Sequence, residues 1–308
     1  MAAVAGAFKA YSAGQTQTPL RVAVEPPDSG GVLLAMPCAV AEPPALGAKI
    51  FSVYRANAAR GLPTVTSIYV LSEYQSGAPL AVMDGGYLTA LRTAAGSAVA
   101  TRLLAGTEAA VLGIFGTGVQ ARFHVRTIER VRQLRRVLVR GTSADKERAF
   151  ARWVSETTGL EAAPASAEAV SGADIVAACT TSSEPVVLAD AVRPGAHVNS
   201  VGSFTPTTRE LPGELVGRAR VYVDTRTGAL AEAGDLLMAV QEDLFDLGRV
   251  VGEIGEVLLG AAAGRTDDAE VTVYKSVGAA FLDAATARLA YQAATRSSIG
   301  TVFDFAGG

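Results

Sequence analysis

The chain has 308 residues, of which 49% are hydrophobic and 19% charged, and its formal net charge at pH 7 is −3. This composition indicates a globular protein with a sizeable core and excludes a disordered chain. The slight acidic excess gives no reason to expect a nucleic-acid partner. With two cysteines and two histidines, a disulfide framework and a zinc site of four thiolates are excluded, and no metal is expected.

The first twenty residues lack the basic segment and the long apolar segment of a signal peptide. No uncharged apolar run approaches the roughly 18 residues that a membrane-spanning helix needs. We therefore expect a cytoplasmic protein with no membrane partner.

Short apolar segments separated by turn residues open the chain, a pattern typical of antiparallel strands. The predicted strands are 21–24, 31–37, 48–54, 64–71 and 79–83. From 88 to 105 small apolar residues recur at helical spacing, and Gly106 follows as a stop. The opening strands are therefore expected to lead into one long helix.

Strand-like and helix-like segments then alternate, which predicts a parallel sheet covered by helices. The strands are expected at 109–115, 137–140, 174–179, 196–201 and 219–223, and the first helices at 119–131 and 143–158. A last helix at 276–296 is expected to return to the N-terminal strands. The predicted fold class is α/β, a Rossmann-type doubly wound sheet (98–276) inserted into a discontinuous α+β domain (1–97 plus 277–308).

A glycine-rich turn follows the first strand of this series, with the sequence Gly116-Thr117-Gly118-Val119-Gln120-Ala121. The G-x-G-x-x-A spacing between a strand and a helix is typical of dinucleotide binding. The first glycine permits the tight turn, the second lets the backbone approach a pyrophosphate, and the helix N-terminus attracts the phosphates. An ordinary glycine turn is the alternative interpretation.

The end of the second strand bears on which dinucleotide binds. A carboxylate there would accept hydrogen bonds from the ribose of NAD, whereas a cation suits the 2′-phosphate of NADP. This strand ends in Arg140-Gly141-Thr142-Ser143, with no acid before Asp145. Arg140, Thr142 and Ser143 therefore favour NADP(H). If Arg140 is only a solvated residue at a strand end, NAD(H) is the alternative.

Several motifs, in order along nearly the whole chain, resemble those of the ornithine cyclodeaminase/mu-crystallin family. They include Pro19-Leu20-Arg21, Leu88-Thr89-Ala90-Leu91-Arg92-Thr93-Ala94-Ala95, the turn at Gly116, Tyr222-Val223-Asp224 and Tyr274-Lys275-Ser276-Val277-Gly278. The resemblance implies a homodimer whose discontinuous domain supplies the dimer interface and part of the substrate site. It also implies a nicotinamide cofactor in the Rossmann domain, and α-amino acids or related imines as substrates.

The same resemblance implies that Arg21, Lys49 and Arg92 are the cations of the substrate pocket, with Lys49 and Arg92 catalytic. A guanidinium suits an α-carboxylate, which it can bind with two hydrogen bonds. Apolar neighbours around Lys49 predict a partly buried amine whose lowered pKa suits a proton donor. Further cofactor contacts implied by the resemblance are Thr93, Thr180, Val201 and Ser276.

One segment departs from the cyclodeaminase pattern, in which an aspartate and a lysine follow the fifth strand. Phe204 stands where the aspartate is expected, and Thr208 where the lysine is expected. A phenyl ring cannot act as a base or hold a water for ammonia loss, so cyclodeamination is disfavoured. The pattern is closer to the mu-crystallin branch of ketimine reductases, where Phe204 would form an apolar wall beside a small substrate ring.

The predicted function is therefore NAD(P)H-dependent reduction of a small cyclic ketimine carboxylate. The substrate would be Δ1-pyrroline-2-carboxylate or Δ1-piperideine-2-carboxylate, and the product L-proline or L-pipecolate. The alternatives are an L-amino-acid dehydrogenase or opine-type synthase, an ornithine or lysine cyclodeaminase, and a non-catalytic NADPH-binding crystallin-like protein. The histidines are not assigned to catalysis: His124 is expected on a helix surface, and His197 in a structural role.

Overall fold

The computed structural model describes residues 1–303, which form two compact units. One unit is Met1 with Thr93–Gly278, and the other joins Ala2–Arg92 to the chain from Ala279 onward. We call them the parallel-sheet unit and the antiparallel-sheet unit, after the sheet that each contains. The boundaries predicted from the sequence fall after residues 97 and 276.

The antiparallel-sheet unit begins with a helix that the sequence reading did not predict, α1 (Ala2–Ser12). Its strands are β1 (Thr16–Gln17), β2 (Val22–Val24), β3 (Gly31–Val40), β4 (Ala45–Tyr54), β5 (Val65–Ser72) and β6 (Pro79–Asp84). They pair antiparallel in the order β1-β3-β4-β5-β6, with β2 also on β3. A short 3-10 helix (Arg55–Arg60) follows β4, and α2 (Gly85–Leu104) directly follows β6.

One face of this sheet packs against α1 and the last helix, α10 (Ala280–Arg296). Alternate residues of β3 point into this core, including Leu34, Met36 and Cys38. The ring of Phe281 contacts Phe8 edge to face at 5.7 Å between centroids. Contacts of this kind stabilise α1, because a helix of 11 residues is marginal by itself even when it is rich in alanine.

The parallel-sheet unit contains eight strands. They are β7 (Val111–Phe115), β8 (Arg136–Arg140), β9 (Glu161–Pro164), β10 (Ile175–Ala178), β11 (His197–Ser200), β12 (Arg220–Val223), β13 (Val250–Glu253) and β14 (Thr272–Lys275). All pairs are parallel, in the order β13-β12-β14-β11-β10-β7-β8-β9. The predicted Rossmann-type doubly wound sheet is confirmed, with β14 inserted between β11 and β12.

Helices cover both faces of this sheet, namely α3 (Val119–Ile128), α4 (Ala144–Thr158), α5 (Ala167–Ser171), α6 (Gly213–Arg218), α7 (Arg226–Glu232), α8 (Gly234–Gln241) and α9 (Ile254–Leu259). Helices α3 and α4 form one apolar core with β7 and β8, and α5, α6 and α8 contribute to the core on the other face. Strands buried on both faces have near-continuous apolar sequences, which is why five of the eight were predicted. The sequence analysis missed β9, β13 and β14. Within residues 1–303, no helix is long and apolar enough to span a bilayer.

The order of strands positions the candidate site. From β7 the sheet grows to β8 and β9 on one side, and to β10 and β11 on the other. Doubly wound sheets bind ligands beyond the carboxyl ends of their strands, at the point where the order reverses. The glycine-rich turn after β7 and the ends of β8, β10 and β11 lie at this edge.

Candidate functional site

Two of the predicted substrate cations, Lys49 and Arg92, share one buried carboxylate, that of Asp283. Lys49 Nζ donates to Asp283 Oδ2 at 3.0 Å, and Arg92 Nε donates to Oδ1 at 2.9 Å. At most 6% of any of the three side chains is exposed. The residues come from β4, α2 and α10. The sequence analysis did not identify Asp283 as a site residue. The only signal in the sequence was its position on the buried face of a helix.

Burial dominates the electrostatics of this cluster. It lowers the pKa of Lys49 to about 8, although the Asp283 carboxylate works in the opposite direction. The charges of Arg92 and Arg21 lower the pKa of Lys49 further. Burial raises the pKa of Asp283, but Arg92 and Lys49 outweigh it and hold that pKa below its ordinary value. Lys49 is thus an amine that can change its protonation state close to neutral pH.

The cluster retains capacity to bind an anion. A guanidinium has five N–H donors, and the contact of Arg92 Nε with Asp283 uses one of them. Arg21 is half-buried and lies near enough for its charge to act on Lys49. Phe204 lies in the parallel-sheet unit, partly buried against the apolar core there.

The glycine-rich turn has the backbone that its sequence predicts. Gly116 has φ +101°, and a Cβ at this position would lie 2.6 Å from the carbonyl oxygen of Cys179. Gly118 caps α3 without a side-chain hydrogen bond, and a Cβ there would meet nothing within 4 Å. Ala121 is fully buried, and Gln120 Oε1 is a buried atom with no hydrogen-bond partner within residues 1–303. This backbone fits a dinucleotide pyrophosphate at the N-terminus of α3.

Around this turn, Thr117 is half-buried and Val119 is exposed. An acidic residue of α4, Glu147, packs against the end of β8, a contact that the sequence analysis did not predict. Glu147 Oε1 accepts a hydrogen bond from the Gly141 N–H at 2.9 Å and lies 3.4 Å from Arg140 Nη1. Glu147 is nearly fully buried, whereas about half of Arg140 is exposed. Thr142 is exposed, as is Ser143, whose hydroxyl caps α4. The exposed groups at this strand end are therefore a cation and two hydroxyls.

The remaining predicted cofactor contacts are distributed over three strand ends and one helix. Thr180, Val201 and Ser276 follow β10, β11 and β14, and Thr93 is buried within α2. The Thr180 N–H and hydroxyl both donate to Glu210, and the Ser276 hydroxyl donates to Asp224. Glu210 and Asp224, to which the sequence analysis gave no role, thus fix Thr180 and Ser276.

The expectation for His124 was wrong, because its side chain is fully buried rather than on a helix surface. Its ring contacts Ser97 Oγ at 2.9 Å and the Gln120 carbonyl oxygen at 2.8 Å, and burial lowers its pKa to about 4. His197 is buried in β11, where burial lowers its pKa to about 3. Both rings are therefore neutral and structural. In the described part of the chain, no three His, Cys, Asp or Glu residues are grouped to hold a metal ion.

The shared carboxylate leads to a prediction about stability. Asp283→Asn leaves two buried cations without a counter-charge, and breaking a buried ion pair in this way costs about 3–5 kcal/mol. The control is Asp145→Asn, because Asp145 pairs with Arg148 on the exposed face of α4. Loss of that surface pair should cost less than about 1 kcal/mol. Urea unfolding measures both, and similar midpoints for the two variants would contradict the buried-charge argument.

The sequence profile of the ornithine cyclodeaminase/mu-crystallin family matches residues 1–298. The Δ1-pyrroline-2-carboxylate reductase of Bacillus thuringiensis subsp. konkukian is 38% identical over 302 residues, which cover 97% of this chain and 93% of the relative.

Two solved structures share the whole fold. The Thermococcus litoralis Δ1-pyrroline-2-carboxylate reductase in complex with NADH and L-proline superposes with a TM-score of 0.95 at 37% identity, covering 98% of this chain and 94% of its own. An archaeal alanine dehydrogenase dimer with bound NAD gives a TM-score of 0.93 at 33% identity, covering 99% and 93%. The resemblance noted in the sequence motifs is confirmed: the chain belongs to the ornithine cyclodeaminase/mu-crystallin family.

Proposed function

We propose that this protein is an oxidoreductase that reduces Δ1-pyrroline-2-carboxylate to L-proline with a nicotinamide cofactor. The observation that carries the proposal is the whole-chain similarity to a reductase of this name whose structure holds NADH and L-proline. The buried cations Lys49 and Arg92 suit an imine that carries a carboxylate. The glycine-rich turn suits the pyrophosphate of the cofactor.

The division of labour follows from the positions of the residues. Arg92 binds the substrate carboxylate through N–H groups that Asp283 does not use, and Arg21 adds positive charge. Lys49 keeps a proton on the imine nitrogen. A bound reduced nicotinamide would supply the hydride, so that imine, NAD(P)H and one proton would give the amine and NAD(P)+.

A second candidate is an L-amino-acid dehydrogenase acting on a keto acid and ammonia, which the similarity to an archaeal alanine dehydrogenase favours. Its substrates also carry an α-carboxylate, so Arg92 and Lys49 suit them as well. Ring closure is what distinguishes the two substrate classes, and the 38% identity with a Δ1-pyrroline-2-carboxylate reductase favours the cyclic imine. The cyclodeaminase and the non-catalytic binder have less support, because Phe204 cannot act as a base and buried cations do not suit an apolar ligand.

A direct assay tests the reaction. The purified protein is mixed with Δ1-pyrroline-2-carboxylate and either NADH or NADPH, and the loss of the reduced nicotinamide absorbance is followed. We expect faster oxidation with the cyclic imine than with pyruvate and ammonia, and no ammonia release from ornithine. The absence of oxidation with both cofactors would rule out the reductase, and faster oxidation with pyruvate and ammonia would support the dehydrogenase.

The pKa of Lys49 predicts how the rate depends on pH. Lys49 is protonated below its pKa of about 8, so the rate should be retained below this pH and fall as the pH rises through it. Lys49→Arg provides the control, because a guanidinium keeps its proton throughout this range. The variant should be slower but should lose the decline near pH 8. The pH profile of kcat/KM measures both, and an unchanged decline in the variant would exclude Lys49 as its source.

We propose that the site accepts NADP(H) through Arg140, with Thr142 and Ser143 as further contacts of the 2′-phosphate. Arg140→Ala should weaken NADPH binding about tenfold and change NADH binding little, because only NADPH has a phosphate at this position. Arg148→Ala is the matched control, because it removes another exposed arginine, on α4. Fluorescence titration of both cofactors measures the effect. Equal weakening for NADPH and NADH in Arg140→Ala would contradict the assignment.

We also propose that the protein is a homodimer joined through the open face of the antiparallel sheet, that is, the face opposite α1 and α10. Seven apolar side chains on this face are each at least 37% exposed, namely Val22, Val24, Leu33, Ile50, Ile68, Leu80 and Val82. An exposed apolar face of this kind marks an interaction surface. A second copy is the favoured occupant because the similar alanine dehydrogenase is a dimer.

Ile68→Lys tests this interface, since it places a charge among the apolar side chains of the open face. The wild type should have the mass of a dimer by light scattering, and the variant that of a monomer. Leu230→Lys, at an exposed apolar residue of α7 in the parallel-sheet unit, should remain dimeric. A monomeric wild type, or a dimeric Ile68→Lys variant, would refute the proposed interface.

A further inference from the structure

The parallel-sheet unit contains a network of three buried charged side chains, Lys275, Asp235 and Glu210. The mechanism proposed above gives none of them a role. Each is fully buried. Lys275 is the last residue of β14 and belongs to the motif at 274–278, while Glu210 and Asp235 lie in the loop before α6 and in α8. A buried charge is unfavourable unless it is paired and hydrogen-bonded, so the contacts of each group show how its charge is compensated.

Lys275 and Asp235 neutralise each other. Lys275 Nζ lies 2.6 Å from Asp235 Oδ2 and also donates to the Ser203 carbonyl oxygen at 2.6 Å. Asp235 Oδ1 accepts the backbone N–H groups of Glu210 and Leu211, both at 2.7 Å. This pair therefore holds in place the segment that includes Glu210.

Glu210 bridges the ends of β10 and β11. Its Oε1 accepts from the Thr180 N–H at 2.6 Å and the Thr180 hydroxyl at 2.8 Å, and its Oε2 accepts from the Gly202 N–H at 2.7 Å. Both oxygens face N–H donors, an arrangement that suits the ionised carboxylate. Burial raises the pKa of Glu210, whereas the charge of Lys275 and the hydrogen bonds from Thr180 act in the opposite direction. The fit is close, because a Cβ on Gly202 would lie 2.0 Å from the Thr180 carbonyl oxygen.

When Glu210 is ionised, one ammonium faces two carboxylates, so the three groups together carry one net negative charge. A further carboxylate, Asp224 at the end of β12, is fully buried and accepts hydrogen bonds from the Ser276 hydroxyl and the Val277 and Gly278 N–H groups. The nearby Arg209 is paired with Glu242. The carboxyl edge of β10 to β12 thus carries buried negative charge.

This edge is where the nicotinamide half of the cofactor is expected. A dinucleotide crosses a doubly wound sheet at its switch point, here between β7 and β10. If the adenosine half lies beyond β8, the nicotinamide half reaches the ends of β10 and β11, beside Thr180 and Gly202. The nicotinamide ring carries a positive charge when oxidised and none when reduced.

We propose that Glu210 is a positioning residue of the nicotinamide subsite, which fixes Thr180 and Gly202 and whose negative charge favours the oxidised ring over the reduced one. The inference rests on the nicotinamide cofactor of the proposed function. The same charge stabilises the positive charge that develops on the ring as hydride leaves. Glu210 thereby acts on the reaction without contact with the substrate.

The test compares the affinities for NAD+ and NADH in the absence of substrate, by calorimetry. Glu210→Gln keeps the shape of the side chain and removes its charge, and Asp235→Asn removes one charge elsewhere in the same network. Each variant should weaken NAD+ binding about fivefold or more relative to NADH binding, as expected for a unit charge in a protein interior. Glu253→Gln is the control, because Glu253 is buried at the end of β13, on the outermost strand. Its ratio of affinities should equal that of the wild type.

Glu210→Asp separates charge from position. It keeps the charge but is too short to bridge Thr180 and Gly202, so both affinities should fall while their ratio stays constant. An unchanged ratio in a folded Glu210→Gln or Asp235→Asn variant overturns the inference, and circular dichroism identifies which variants are folded. A wild type that binds both cofactors but does not reduce the imine overturns the proposed reaction and leaves this inference standing. A wild type that binds neither cofactor overturns both.

Discussion

The pairing of buried charge is the constraint on which this structure depends. Lys49, Arg92 and Asp283 are removed from water together, and any of them alone would be strongly unfavourable there. Because they come from β4, α2 and α10, the cluster requires both ends of the chain to meet in one unit. The same requirement creates the candidate site, since one carboxylate holds an amine and a guanidinium side by side.

Buried carboxylates serve the parallel-sheet unit in a similar way. Glu210 and Asp224 each accept backbone N–H groups at the carboxyl ends of strands, where the chain leaves the regular hydrogen bonding of the sheet. A carboxylate can accept several hydrogen bonds at once, so one side chain orders two loops. The loops expected to face the cofactor are thus fixed by the protein itself, which reduces the ordering required on binding.

The family uses one scaffold for related reactions, and this structure indicates which parts are general. Cations for an α-carboxylate and a turn for a dinucleotide serve a reductase and an amino-acid dehydrogenase equally well. The segment around Phe204 is the part that departs from the cyclodeaminase pattern. The hydroxyls of Ser203, Thr205 and Thr208 contact one another there, and Lys275 Nζ donates to the Ser203 carbonyl oxygen. Function therefore resides in the site and not in the fold alone.

The family, the α/β class, the glycine-rich turn and most of the strands could be predicted from the sequence, as could four of the ten α-helices within residues 1–303. These features depend on local spacing, such as apolar periodicity and the distance between glycines, which a single segment contains. Motifs also singled out Lys49 and Arg92, whose roles stay predictions. Helix α1 was missed, as were α5 to α9, which are too short to show a clear helical period.

Which groups those residues meet follows from the packing of the chain. Asp283 is 234 residues from Lys49 and 191 from Arg92, so no local pattern connects them. Distant segments also meet where Glu210 bridges β10 and β11, and where β14 inserts into the sheet. A pattern in sequence identifies the residue types that chemistry needs. Partners and burial set their charge and orientation, and these follow only from how the chain packs.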